Sequence, residues 1–148
     1  MLAAIEALPL ADALRRSVWA YPVLEIVHIA GFAALVGSLL MLELRVLGTR
    51  AELALAPLAR LVLRIALAGF CVAAAAGVAM FVSSATELGN SPVFLAKMSL
   101  IVAAGINAAV FHARGSLHLH DTVARLQAGT SLLLWFGVIA CGRLIAYL

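Results

Sequence analysis

Four apolar stretches, each long enough to cross a lipid bilayer, leave this chain little choice of fold. They run over residues 18–47, 57–84, 92–114 and 121–147. A hydrocarbon layer about 30 Å thick is crossed by about 20 apolar residues in helical form. With 66% of its residues hydrophobic and 11% charged, a soluble domain of 148 residues could not hide its apolar surface. The sequence predicts an all-α protein: a transmembrane four-helix bundle, one domain over residues 1–148, with a short N-terminal interfacial segment.

Punctuation residues support these limits. Trp19 and Tyr21 suit the headgroup level, and Pro22, Pro57 and Pro92 stand where a first helical turn tolerates proline. Gly48 ends the first stretch and Gly115 is the expected C-cap of the third, while Asp121 or Thr122 can cap the fourth. Thr86 to Ser91 reads as a linker. Before the first span, Leu2, Ile5, Leu8 and Leu10 with Glu6, Asp12, Arg15 and Arg16 form an amphipathic piece broken by Pro9, suited to the bilayer surface rather than to a signal peptide. Gly69, Ala73 and Gly77 make a small-residue ridge in the second span, a surface for close helix approach and for self-association. The expected surroundings are therefore lipid, with a second copy or a partner membrane subunit.

The net charge of +3 comes from basic residues scattered at helix ends, which does not make a nucleic-acid surface. Six of them (Arg45, Arg50, Arg60, Arg64, Arg114, Arg125) fall on the side of the first and third loops. Four (Arg15, Arg16, Lys97, Arg143) fall on the other. By the positive-inside rule this places the protein as a multi-pass protein of the cell inner membrane with both termini outside.

Ionisable groups within spans cost about 2.5–3.5 kcal/mol each to insert, so they turn towards protein or water. Glu25, His28 and Glu43 lie within about 60° of one another on the first span, a polar stripe expected to face inward. Counting rise along each span puts His28 level with Met80, Lys97, Met98, Cys141 and Arg143. Glu43 is nearer Arg60, Arg64, Asn107 and His112, and an ion pair of Glu43 with Arg64, or else Arg60, is the natural pairing. His28, Met80, Met98 and Cys141 offer imidazole, thioether and thiol, a soft set that suits copper, and a histidine with a methionine also ligates haem b. His28 and His112 stand about 25 Å apart along the spans, too far to share one iron. The His118, His120, Asp121 loop is a weaker chelating group. No nucleophile elbow, phosphate loop, HExxH or close carboxylate pair is present, so enzyme chemistry by this chain alone is not expected.

The runs Glu25-Ile-Val-His28-Ile-Ala-Gly31, Glu43-Leu-Arg45, Phe94-Leu-Ala-Lys97-Met98 with Asn107 and His112, and Cys141-Gly142-Arg143 resemble a bacterial family of small four-helix integral membrane proteins. More distantly the chain is similar to copper-resistance membrane proteins of the CopD type and to four-helix b-type cytochromes. The resemblance implies the four-helix membrane fold and draws attention to Glu25, His28, Lys97, Asn107, His112 and Arg143. Three functions are then expected, in this order: a haem- or copper-binding bundle that carries electrons or handles metal; a small solute or proton transporter acting as an oligomer; an accessory subunit of a membrane complex.

Overall fold

Where each helix stops is decided by how its last polar backbone groups are satisfied. A computed structural model describes residues 1–49, 54–119 and 121–147, except the side chain of His118. Eight helices form among them: α1 Leu2–Glu6, α2 Pro9–Arg16, α3 Ala20–Val46, α4 Leu55–Ser83, α5 Ala85–Asn90, α6 Pro92–Ala113, α7 Ser116–Leu119 and α8 Thr122–Leu144. Four of these, α3, α4, α6 and α8, are long and apolar enough to span a membrane. At most 22% of the most apolar window of any of them is buried inside the protein, so lipid has to cover the remainder. The chain is an all-α, four-helix, multi-pass membrane protein.

The α3 terminus is a full left-handed stop. Gly48 takes φ +106°, its N–H bonds the Arg45 carbonyl, and the Thr49 N–H reaches back to Leu44. This is the paired bonding that closes a helix on a glycine. Gly115, at φ +67°, ends α6 in the same region of backbone space. At α8 the Asp121 carboxylate accepts the Ala124 N–H at 2.8 Å, the cap expected from sequence.

The chain divides into two compact units, residues 1–37 with 64–91 and residues 38–63 with 92–148. In the first, α3 and α4 meet backbone to backbone. A methyl added at Gly69 would lie 2.6 Å from the Gly31 carbonyl oxygen, and one added at Gly31 would lie 2.7 Å from the Ala73 nitrogen. Ala66, Ala73 and Ala76 are buried along α4. The small-residue ridge is thus taken up within the chain by α3, rather than left open for a second copy.

The N-terminal segment is helical and anchored in this unit. Pro9 starts α2, and α1 packs on α5, with the Leu2 side chain against Gly89. The Glu6 carboxylate accepts the Thr86 N–H at 2.7 Å, and Arg15 donates to the carbonyls of Glu6 and Ser83. Residues 86–91, expected as a linker, therefore include most of a short helix. Ser84 precedes it without making a side-chain cap, and Glu6 supplies that bond from 80 residues away.

In the second unit α6 packs along α8, and two apolar clusters close the end where α3 and α6 finish. Leu42, Ala59 and Val62 form one, and Val46, Ala124 and Ala128 the other. On α8 the buried positions Ala124, Ala128, Trp135 and Val138, with the half-buried Ser131 between them, repeat at alternating spacings of four and three. That spacing keeps one stripe of a helix against its neighbour.

Replacing Gly69 by Leu forces a side chain into the α3 backbone and is expected to cost about 1–3 kcal/mol or more, the usual range for overpacking. Gly37→Ala, where nothing lies within 4 Å of the added methyl, should leave stability unchanged or raise it by up to about 1 kcal/mol. Denaturant unfolding of both variants in micelles checks the contrast.

Candidate functional site

The polar residues of α3 have separate fates. Glu25 is exposed; it stands about 8 Å from the start of α3, within reach of the headgroup level, and has no need to turn inward. His28 is half-buried. Its Nδ1 lies 2.7 Å from the Ala73 carbonyl oxygen, and since that oxygen only accepts, Nδ1 carries the proton. Gly77 leaves the ring its room: a Cβ there would come within 3.3 Å of the imidazole Nδ1, and the ring would have to give by a few tenths of an ångström. Met80 is half-buried and Arg64 exposed in the same unit.

In the second unit Lys97 lies against α8, its Nζ 3.4 Å from where a Gly142 methyl would stand. Met98 and Cys141 are half-buried, and Cys141 is a free thiol. Arg143 is exposed; its guanidinium bonds the Tyr147 hydroxyl and stands 4.7 Å from the centre of that ring. Of the four expected soft ligands, His28 and Met80 belong to the first unit and Met98 and Cys141 to the second. Among the described residues no three of His, Cys, Asp or Glu gather as a metal-ligating group. The His120 position and the His118 side chain lie outside the described residues.

Glu43 is the exception in a chain with so few buried polar groups. Only 6% of its surface is exposed. The carboxyl is hydrogen-bonded to the Ser131 side chain on α8, and its Oε2 has no partner among the described residues. Of the two arginines expected to pair with it, Arg60 in the same unit is exposed, and Arg64 belongs to the first unit. An unpaired carboxylate removed from water costs several kcal/mol, so its charge has to be met by a proton, a cation or ordered water.

Space for such a guest is present. Glu43 borders a cavity of about 50 Å³ walled mainly by apolar residues, with Asn107, Gln127 and Ser131 also on its wall and His112 at its rim. By the same measure one water needs about 10–15 Å³, so a few fit. Among the described residues no lysine or arginine lines it.

A hydrogen-bonded chain leads from this cavity to the end of the unit where α8 starts. Asn107 Nδ2 donates to the Gln127 carbonyl oxygen at 3.0 Å. The Gln127 Oε1 accepts from the Ser116 hydroxyl at 2.9 Å and from Arg114 at 3.4 Å. Ser116, 1% exposed, in turn accepts from Arg114 at 3.0 Å, and Arg114 pairs with Asp121 at 3.0 Å.

Sequence reasoning singled out Glu43, Asn107 and His112, which the fold brings to one cavity. It missed Gln127, Ser131 and Ser116. The signal for the first two was available: Gln127 and Ser131 stand four apart on α8 among Ala124 and Ala128, a stripe of small and polar residues in a span. The chain matches no protein family, no curated protein and no solved structure.

The Ala124 N–H, and after it the Arg114 guanidinium, hold the Asp121 carboxyl below its ordinary value of 3.8. A group lowered in the folded state stabilises above its unfolded value and stops doing so as pH falls through the folded one. Exchange of the Ala124 amide, corrected for its intrinsic rate, should therefore accelerate on acidification below about pH 4, near the free carboxyl value. Asp121→Asn should retain a cap and lose that acid dependence.

Proposed function

We propose that this integral membrane protein is a small ion-translocating protein, and that Glu43 is its ion-binding group. One observation carries the reading: a carboxyl buried in a membrane helix with an oxygen left unpartnered beside a cavity. A packing role alone is better served by an apolar residue, since a buried charge is commonly replaced by hydrophobic ones at no loss of stability. Intramembrane carboxylates that face a cavity are the groups through which ions and protons pass. The accessory-subunit reading leaves Oε2 without a purpose. The preponderance of arginines at the first and third loops favours an inner-membrane protein with its Glu43 end towards the cytoplasm.

Purified protein in liposomes, with a pH-reporting dye inside and a potassium diffusion potential as driving force, tests this directly. Wild type is expected to conduct above empty liposomes, Glu43→Gln to fall to their level, and Glu25→Gln to retain wild-type flux. Wild-type liposomes as tight as empty ones both to protons and, with a sodium-reporting dye, to sodium, or a Glu43→Gln variant as active as wild type, would overturn it. A Soret band or bound copper lost on His28→Ala would transfer the function to the metal-binding reading.

A further inference from the structure

Resting on the ion-binding role of Glu43, we infer that its ion is the proton, and that the proton reaches Oε2 past Gln127 from the end of the unit where α8 begins. The size and chemistry of the cavity select the ion. At about 50 Å³ the space is far below the 300–1,000 Å³ or so of pockets that hold organic solutes. A hard metal cation asks for about six oxygens or more. Here Glu43, Ser131 and Asn107 supply the side-chain oxygens, Gln127 Oε1 is already engaged by two donors, and the rest of the wall is mainly hydrocarbon. A proton needs a single lone pair, and Oε2 has one to give.

The route follows from the hydrogen bonds. Glu43 stands about 5 Å from the end of α3, and Gln127 is in the second turn of α8, so both are close to the same end of the unit. Gln127 stands between the cavity and Ser116. Its Oε1 is held from the outer side by Ser116 and Arg114, and Arg114 is fixed by Asp121. An amide so held closes the polar path on this side; when it swings aside, water can pass between the cavity and Ser116. A hydronium ion then gives its proton to the carboxylate, an O–H bond forms at Glu43, and the water left behind returns the way it came. Release to the same side is the reverse of this step, and translocation requires Glu43 to give the proton up towards the opposite side as well. His112 at the rim is the other titratable side chain on the wall among the described residues, and Arg114, Asp121, Arg45 in the last turn of α3 and Arg125 beside Gly48 are charges at the outer end.

Infrared spectroscopy of the reconstituted protein reads the proton on Glu43 whether or not ions cross the membrane, so failure of this inference is separable from failure of the translocation reading. A protonated-carboxyl stretching band is expected in wild type and lost in Glu43→Gln. Replacing potassium by sodium at constant pH should leave it unmoved. On transfer to heavy water the band shifts as deuterium replaces the proton. Gln127→Leu, which puts an apolar stopper in the path, should slow that exchange about tenfold, the effect of about 1.4 kcal/mol on a barrier. Ser116→Ala, which frees the amide to swing, should accelerate it. General loosening of the fold would move both variants the same way. Absence of the band, its removal by sodium, or exchange that changes in the same direction or not at all in the two variants would overturn the proposal.

Discussion

Lipid offers no hydrogen bonds, so every polar group this chain carries into the membrane has to be answered by the chain itself or by trapped water. That requirement organises the fold. Long helices satisfy their own interior amides, and the exposed ends are finished by particular residues: Gly48 with Thr49 at the end of α3, Asp121 at the start of α8, and Glu6 at the start of α5. Against this thoroughness, the Glu43 Oε2, buried and unpartnered among the described residues, stands out.

The two units solve close packing differently. In the first, glycines let two backbones touch, and the same economy of side chain at Gly77 lets the His28 ring lie flat enough to reach a main-chain carbonyl. In the second, Ala128 and Ser131 of α8 and Ala108 of α6 line the cavity beside Glu43, and their small volume leaves a gap there. Larger residues at these positions would fill it. Small side chains thus serve contact in one place and void in the other.

The four spans, their ends at Gly48, Gly115 and Asp121, and the amphipathic N-terminal piece were legible because apolar run length and terminal residues act locally. Residues 86–91 misled because the bond that starts α5 comes from Glu6, and no window of sequence contains both. Glu43, Asn107 and His112 were recognisable as polar residues in spans. Their shared cavity was not, since it depends on Gln127 and Ser131, whose polarity is unremarkable in a helix until the facing residues are known. Glu25 of the α3 stripe is exposed within the described chain, which angular position alone does not foretell: the headgroup level takes a carboxylate near a helix end whichever way it faces.

The Glu6 bond to Thr86 also bears on the order in which the molecule can be assembled. Synthesis delivers the first helix pair long before its anchor exists, so α1 and α2 must wait while α3 and α4 enter the bilayer. Amphipathic helices of this kind rest on a membrane surface in the meantime, where their apolar side is covered. When the turn after α4 emerges, Glu6 and Arg15 meet the Thr86 amide and the Ser83 carbonyl together, and a segment that began as a free passenger becomes the fastening of the first hairpin.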